Sequence, residues 1–304
     1  MSQEEIANMF GISRFKVSRV LKKCKEYNII EVRVNNSTVY NKKIAEQIRS
    51  LLVIDEVIVV NSSVTDNESK ANVGKAAATY LMDKLKDGMV IGFDWGTTLQ
   101  TMVREFNPSK KYPKALFLQI SGSVSSQTLT GTGYIADGHD IVRNLAKKAN
   151  AGYSLFTAPY IVKDSHLRTL LLEDPTIKSH VNHFKDLDMV FFGVGSNQPE
   201  ERNVFYKNYL TKEECDLIHP DKNQGELFSN IFDLNGNRSP NSLLSQRTLT
   251  IDFDILKSIP VKIALAAGNK KANSLIAGAR GGYISVMIID EVAAISILDK
   301  LSES

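Results

Sequence analysis

The stretch IGFDWGTTLQTMVREF, residues 91–106, carries the strongest local structural signal in the chain. Ile91–Phe93 end an apolar run, and the segment Asp94–Thr98 interrupts it. Apolar residues then recur at helical spacing, namely Leu99, Met102, Val103 and Phe106. The pattern predicts a strand, a glycine turn and a helix. Such a junction offers bare backbone N–H groups and the positive end of a helix, which together favour an anion.

The bulk composition is that of a folded protein of one large domain or two ordinary ones. The chain has 304 residues, of which 43% are hydrophobic and 23% charged. Its two cysteines, Cys24 and Cys215, are far apart and in no metal-binding spacing, which indicates a reducing, cytoplasmic compartment. The N-terminus has no signal-peptide pattern, and the apolar runs are too short to span a bilayer. We therefore expect no membrane partner.

The positive charge is concentrated near the N-terminus. Residues 1–50 hold ten Lys/Arg and five Asp/Glu, and Gly11–Lys25 has six basic residues and no acidic one. Two short amphipathic helices joined at Gly11, the second of them basic, form a helix-turn-helix pattern. Ser13 can cap the second helix, and Val20 is expected to face inward on it. We expect Arg14, Lys16 and Ser18 to lie nearest the base edges, and basic residues further along to meet phosphates. The predicted DNA-binding residues are Ser13, Arg14, Lys16, Ser18, Arg19, Lys22 and Lys23.

Two features show which parts of a winged helix-turn-helix this sequence contains. Ile29–Val34 is apolar and β-branched and precedes Asn35-Asn36-Ser37, which predicts a strand and a wing tip. A helix-turn-helix normally has a third helix in front that closes its core, and here the chain starts almost on the second helix. We therefore expect a winged helix-turn-helix that lacks its first helix.

The rest of the chain alternates apolar runs with helical patterns, which predicts a mostly parallel α/β sheet covered by helices. Predicted strands include the runs at 57–60, 89–93, 189–194 and 261–267. A second strand–glycine–helix junction begins at Gly268. Ligands of such sheets bind at the carboxyl ends of the strands. Four turns share that location, and their backbone N–H groups with one lysine suit a phosphate. These turns are Asp94–Thr98, Ser121–Ser123, Gly193–Ser196 and Gly268–Lys271.

Motifs along nearly the whole chain resemble those of the SorC/DeoR-type sugar-binding transcriptional regulators of bacteria. They include QEEIANMFGISRFKVSRVLKKCKEYNII, GFDWGTTL, DMVFFGVGS, GELFSNIFDLNGN and AAGNKKANSLIAGARGGYISVMIIDEVAA. The resemblance implies a winged helix-turn-helix and a Rossmann-like effector domain similar to glucosamine-6-phosphate deaminase and ribose-5-phosphate isomerase. It also implies a phosphorylated sugar as effector. The implied effector-binding residues are Gly96, Thr97, Thr98, Ser121, Gly122, Gly193, Gly195, Asp233, Gly268, Asn269 and Lys271.

The chain departs from the family pattern at two places in the pocket. Some members carry a lysine at the position of Ser121 and form an imine with an aldehyde sugar, which serine cannot do. The usual glycine pair at the second junction is Ala267-Gly268 here. Covalent capture of a sugar is therefore not expected.

Short motifs in the chain are also compatible with other protein classes. A sugar-phosphate isomerase would need a positioned carboxylate, for which Asp137 or Asp140 could serve. An actin-like sugar kinase shares the form D-x-G-T-T, but there the motif belongs to an N-terminal hairpin. His180 and His183 could ligate a metal, although a solvated helix face is the simpler interpretation.

We therefore expect a cytoplasmic transcriptional regulator rather than an enzyme, with no cofactor, metal site or catalytic residue. Residues 1–36 form the DNA-binding domain, 37–50 a linker and helix, and 51–304 the effector-binding and oligomerisation domain. The expected partners are operator DNA and a phosphorylated sugar. Because one small head touches few bases, we expect a homodimer or homotetramer.

Overall fold

The computed structural model describes residues 3–26, 41–124, 137–196, 206, 209–217, 224–239 and 243–302. The chain divides into two compact units, Met1–Ser37 and Thr38–Ser304. Among the residues described, no helix is long and apolar enough to cross a membrane.

The first unit contains the two predicted helices, Gln3–Phe10 and Arg14–Glu26. Gly11 makes the turn between them at φ 60°, and the Ile12 N–H donates to the Ala7 carbonyl at 3.0 Å. As predicted, Ser13 caps the second helix, because its hydroxyl accepts from the Lys16 N–H at 3.2 Å. The predicted wing falls within residues 27–40 and lies outside the described residues.

The apolar face of this unit is only partly covered within the described residues. Ala7 and Val17 are buried. Val20, predicted to face inward, is 49% exposed, and Met9 and Phe10 of the first helix are also exposed. Two helices bury few residues between them. For this reason, helical spacing assigned more residues to the buried face than the structure buries.

The second unit is built on one parallel sheet of seven strands, in the order β1-β9-β8-β5-β2-β3-β4. The predicted α/β class is confirmed. The sheet strands are β1 Glu56–Val60, β2 Val90–Phe93, β3 Leu116–Gln119, β4 Gly152–Ser154, β5 Met189–Gly193, β8 Val261–Ala266 and β9 Val286–Asp290. A separate antiparallel hairpin pairs β6 Gln224–Leu227 with β7 Asn230–Asp233.

Helices cover both faces of the sheet because the inner strands are apolar on both sides. On β8, for example, Ala264 and Ala266 belong to one core, and Ile263 and Leu265 to the other. The helices of this unit are Lys42–Leu52, Asp66–Lys84, Thr97–Glu105, Gly138–Ala149, Ser165–Glu173, Pro175–Asn182, Lys212–Leu217, Phe253–Ser258, Ala272–Arg280 and Glu291–Ser302.

The strand order reverses between β2 and β5. From β2 the chain continues outward to β3 and β4; it then returns to β5 on the other side of β2 and proceeds to β8 and β9. The loops that follow β2 and β5 therefore leave the sheet in opposite directions. In open α/β sheets this reversal opens a crevice at the carboxyl ends of the two strands, where ligands bind.

Candidate functional site

The four turns singled out in the sequence all follow strands of the parallel sheet, after β2, β3, β5 and β8. Because the strands are parallel, their carboxyl ends lie at one edge. The turns after β2 and β5 flank the reversal of strand order. The topology therefore places the four turns at the same edge of the sheet, as predicted.

The first junction forms the expected helix start after β2. Gly96 precedes the helix Thr97–Glu105 at φ 137° and ψ 164°, a conformation open only to glycine. The first helical hydrogen bond runs from the Gln100 N–H to the Gly96 carbonyl at 3.0 Å. No side chain caps this helix start, so the N–H groups of its first turn are available to an anion.

The second junction, after β8, is anchored by a buried carboxylate. Gly268 has φ 93°, and its N–H donates to Asp290 Oδ1 at 2.9 Å. The same oxygen accepts from the Ala293 N–H at 3.0 Å, and Oδ2 accepts from Ser62 Oγ at 3.0 Å. Asp290 is only 1% exposed and thus fixes the start of the segment that carries Asn269 and Lys271.

The surroundings of the glycines separate those that border open space from those that pack. Among the described residues, a side chain placed at Gly193 or Gly268 would meet nothing within 4 Å, and one at Gly96 only Leu99 at 4.0 Å. A side chain at Gly122 would lie 2.5 Å from the Pro159 carbonyl oxygen, and one at Gly195 would lie 2.7 Å from the Glu226 carboxylate. Gly122 and Gly195 are therefore glycines for packing reasons in this structure.

Ser121 is fully buried after β3. Its hydroxyl lies 3.0 Å from Thr250 Oγ1, and its carbonyl accepts from the Gln119 amide at 2.8 Å. These bonds fix the turn, and a role in binding stays a prediction.

Asp233 uses its carboxylate within its own turn at the end of β7. Oδ1 accepts from the backbone N–H groups of Asn235 and Asn237, and Oδ2 accepts from the Asn237 amide, each at 2.9 Å. These bonds from Asn237 hold the pKa of Asp233 below its usual value. The predicted contact of Asp233 with sugar hydroxyls is not tested by these bonds and stays a prediction.

Asp94 is a residue of this edge that was not among the predicted site residues. Its side chain is 7% exposed, and its Oδ1 has no hydrogen-bond partner among the described residues. Burial raises the pKa of Asp94 to about 7, although the Ser121 hydroxyl and the Trp95 backbone N–H favour the ionised form. The one sequence signal for it is its position, since it is the first residue after β2.

A network of buried hydroxyl groups lies beside Asp94. The Tyr160 hydroxyl is 3.0 Å from Ser229 Oγ, which is also 3.0 Å from the Tyr206 hydroxyl. Tyr206 donates to Glu226 Oε1 at 2.8 Å. Burial, and next the charge of Asp94, raise the pKa of Tyr160 well above 10, so that its hydroxyl keeps its proton at neutral pH.

The carboxylate considered for isomerase chemistry caps a helix instead. Asp137 Oδ1 accepts from the Gly138 N–H at 2.7 Å, at the start of the helix Gly138–Ala149. His139 Nε2 lies 2.9 Å from Ser123 Oγ and 3.4 Å from the Phe156 carbonyl oxygen. The other ring nitrogen, Nδ1, lies 3.8 Å from Asp137 Oδ2.

His180, interpreted from the sequence as part of a solvated helix face, is buried. Its Nε2 donates to the Gln119 carbonyl at 2.7 Å, and its Nδ1 lies 2.6 Å from Ser154 Oγ. Burial lowers the pKa of His180, so the ring stays neutral and structural. Within the described part of the chain, no group of three His, Cys, Asp or Glu side chains could hold a metal ion.

Six of the seven predicted DNA-binding residues are exposed, on the basic helix and at its cap. Val17 is buried on the opposite face. The Lys22 side chain lies outside the described part of the structure. The exposed residues are Ser13, Arg14, Lys16, Ser18, Arg19 and Lys23.

Comparison with known proteins matches both units. The family described as "Putative sugar-binding domain" matches residues 38–299, and the "Crp-like helix-turn-helix domain" matches residues 1–43. The sorbitol operon regulator of Klebsiella pneumoniae is 23% identical over 97% of this chain and 92% of its own length. The deoxyribonucleoside regulator of Bacillus subtilis is 25% identical over 99% of this chain and 93% of its own length.

One of the solved structures that match this chain is that of a full-length regulator. The crystal structure of the full-length sorbitol operon regulator SorC from Klebsiella pneumoniae matches with a TM-score of 0.74 at 23% identity. The match covers 98% of this chain and 94% of that one. The relatives are transcriptional regulators rather than enzymes. The chain thus belongs to the SorC/DeoR family of DNA-binding transcriptional regulators, with a Crp-like helix-turn-helix and a sugar-binding effector domain.

Proposed function

We propose that a phosphorylated sugar, bound at the carboxyl edge of the sheet, controls the binding of this regulator to its operator DNA. The observation that carries the proposal is the uncapped helix start at Thr97, placed directly at the reversal of strand order. A dianionic phosphate matches the N–H groups and the positive helix end there. Gly96, Thr97 and Thr98 cradle the phosphate in this proposal.

The second junction supplies the remaining contacts to the phosphate. Lys271 is half-buried in the 3-10 turn Asn269–Lys271, whose start is fixed by the bond from Gly268 to Asp290. A half-buried ammonium group interacts with a phosphate more strongly than an exposed one, because solvent screens it less. Asn269 adds its backbone N–H group, and Gly193 and Gly268 leave room for the ligand.

The ligand regulates by binding one state of the oligomer more tightly than another. Residues 1–36 bind the operator, and residues 51–304 bind the ligand and associate into a homodimer or homotetramer. Two or more heads are needed, because one helix-turn-helix contacts too few base pairs for specific binding. A ligand changes the affinity for DNA only by its differential affinity for the two states.

A thermal-shift screen tests the ligand class. The panel contains sorbitol 6-phosphate, ribose 5-phosphate, 2-deoxyribose 5-phosphate, fructose 6-phosphate and glucosamine 6-phosphate, with the parent sugars as controls. A ligand at a hundred times its Kd stabilises the folded state by about 2.7 kcal/mol. We expect a shift with one phosphorylated sugar and a shift at least several-fold smaller in Lys271→Ala.

Lys270 provides the matched control for that variant. It is the neighbouring, exposed lysine in the same 3-10 turn. Lys270→Ala removes the same charge and should leave the shift intact. The absence of a shift with every phosphorylated sugar, or equal shifts in Lys271→Ala and the wild type, would contradict the proposal.

Gly193→Ala tests whether the ligand occupies the space beside Gly193, and it does not strain the backbone. A methyl group at this position meets no atom of the described part of the chain within 4 Å, so the stability of the ligand-free protein should change by less than about 0.5 kcal/mol. The methyl group occupies space that the proposal assigns to the ligand. We expect the affinity for the active phosphosugar, measured by isothermal titration, to fall by at least about tenfold. Unchanged affinity would remove Gly193 from the site.

Variants of the basic helix test the DNA contacts. Operator DNA is selected from a random pool by the purified protein, and binding is measured by fluorescence anisotropy over a range of salt. Arg14→Ala should cost about 1–3 kcal/mol on the selected DNA and relax its sequence preference, since Arg14 lies near the base edges. Lys23→Ala should weaken binding to all sequences and lower the salt slope by about one. Lys110→Ala, an exposed lysine of the other unit, should change neither.

A further inference from the structure

The structure points to a second contact between protein and ligand, and it rests on the proposed function. We infer that Asp94 Oδ1 accepts a hydrogen bond from a hydroxyl group of the molecule whose phosphate is held at Gly96–Thr98. Asp94 would then select among phosphorylated sugars by their hydroxyl groups, whereas the phosphate contacts would not.

The first argument is the unmet bonding capacity of a buried group. Asp94 is 7% exposed, and Oδ1 has less than 1 Å² of accessible surface and no hydrogen-bond partner among the described residues. A buried carboxyl oxygen without a donor is costly, so such groups in folded proteins are usually completed by water or a ligand. The atom therefore marks a place where a donor is missing.

The second argument is that the neighbouring hydroxyl groups do not complete Oδ1. The Ser121 hydroxyl lies 3.0 Å from Thr250 Oγ1, and the Tyr160 hydroxyl lies 3.0 Å from Ser229 Oγ. A hydrogen bond from Ser121 favours the ionised form of Asp94, and the charge of Asp94 raises the pKa of Tyr160, so both residues are near it. Neither completes Oδ1. A donor from outside the described residues is needed.

The third argument is position. Asp94 follows β2 directly at the reversal of strand order, and it precedes the phosphate-binding segment by two residues. Three steps along the chain separate the Cα atoms of Asp94 and Thr97 by at most roughly 11 Å. A pentose or hexose phosphate bound at Thr97 can thus place a hydroxyl group at Asp94.

The chemistry of the pocket favours a hydroxyl group. The titratable groups near Asp94 are Tyr160, and beyond it Tyr206 and Glu226 of the same network. With a pKa of about 7, the Asp94 carboxyl exists in both forms at neutral pH. The acid form donates as well as accepts, as a sugar hydroxyl does. An ammonium group would match only the ionised form.

Two probes separate the two contacts. Inorganic phosphate reports on the phosphate contacts alone, at Gly96–Thr98 and Lys271, and the phosphosugar that gives the largest thermal shift also reports on the contact with Asp94. By isothermal titration, Asp94→Ala should bind the phosphosugar about tenfold or more weakly than the wild type does. A loss of this size is typical of a hydrogen bond to a charged group. Its affinity for inorganic phosphate should stay within about twofold of the wild type. Lys271→Ala should weaken both ligands.

Deoxy analogues test the same contact in the wild-type protein and keep the test independent of how well Asp94→Ala folds. One analogue, with the contacted hydroxyl removed, should bind the wild type about tenfold more weakly and Asp94→Asn with a smaller loss. If every deoxy analogue binds the wild type as well as its parent, Asp94 does not read a hydroxyl group.

The outcomes distinguish this inference from the function on which it rests. Binding of no phosphosugar by the wild type would overturn both. Equal binding of the phosphosugar by the wild type and Asp94→Ala would overturn the inference alone, and a bound water would then complete Oδ1. If Asp94→Ala weakens the binding of glucosamine 6-phosphate only, Asp94 pairs with the ammonium group of that ligand instead of a hydroxyl group. The inference is then also wrong.

Discussion

Replacing Asp290 with alanine is expected to lower the free energy of unfolding by about 3–5 kcal/mol, the largest effect predicted for a single side chain of this protein. Asp290 is 1% exposed and accepts three hydrogen bonds, from Gly268, Ala293 and Ser62. Alanine leaves all three donors without this acceptor, and of these donors the Ala293 N–H is buried while those of Gly268 and Ser62 are partly buried. A buried donor left unpaired costs about 1–3 kcal/mol, which sets the size of the expected loss.

Urea denaturation measures the loss of unfolding free energy, and two further variants serve for comparison. Asp290→Asn keeps one acceptor oxygen and should lose less than Asp290→Ala. Asp299→Ala removes an exposed carboxylate from the helix Glu291–Ser302 and should change stability by less than about 0.5 kcal/mol. Because Asp290 also fixes Gly268, the alanine variant should bind the phosphosugar more weakly even where it is folded. A loss below about 1 kcal/mol would contradict the anchoring role.

The second large effect is a pH-dependent gain of stability in Asp94→Asn. The pKa of Asp94 is raised from 3.8 to about 7 in the folded protein, so folding favours the protonated form. Between these two values the unfolded state binds fewer protons than the folded state. The stability of the wild type therefore falls as the pH rises through this window, and it levels off above pH 7. At about 1.4 kcal/mol per pH unit, the full cost at pH 8 is on the order of 4 kcal/mol.

Asparagine does not titrate, so the difference in unfolding free energy between the variant and the wild type isolates this carboxyl. We expect the difference to grow in favour of Asp94→Asn by about 2–3 kcal/mol between pH 5 and pH 8. Urea denaturation at the two pH values measures this change. Contributions of the amide that do not depend on pH cancel when the two values are subtracted. In saturating phosphosugar the pH dependence should shrink, because the inferred hydroxyl donor stabilises the ionised form. A difference that does not vary with pH would place the pKa of Asp94 near its ordinary value.

Sequence patterns located most of the central sheet. The apolar runs at 57–60, 89–93, 189–194 and 261–267 are strands within one or two residues of their predicted ends. The hairpin of β6 and β7 was not predicted, and its turn explains why. Phe228 and Ser229 form it at φ 49° and 59°, a conformation for which glycine or asparagine is the usual signal. Burial of His180 was also missed, because it depends on partners far away in the sequence, at Ser154 and Gln119.

The candidate site was predicted in part for a similar reason. Glycines after strands are visible in the sequence, and the junctions at Gly96 and Gly268 are as predicted. Spacing does not distinguish a glycine beside open space, such as Gly193, from one packed against Pro159, as Gly122 is. Nor does it reveal that a carboxyl oxygen of Asp94 is buried without a donor. Both properties arise only when distant segments pack.

The strand order also determines when the effector domain can be completed during synthesis. β1 lies at the edge of the sheet and pairs only with β9, the last strand of the chain, through residues such as Val57 and Met287. Pairing of segments so far apart in sequence makes folding slow. The basic helix leaves the ribosome first, whereas the sheet closes only after Asp290 has been made. A chain cut short before β9 would therefore retain the DNA-reading helix but lack a completed sensor. Such a fragment would leave β1 as an unpaired edge strand, prone to aggregation.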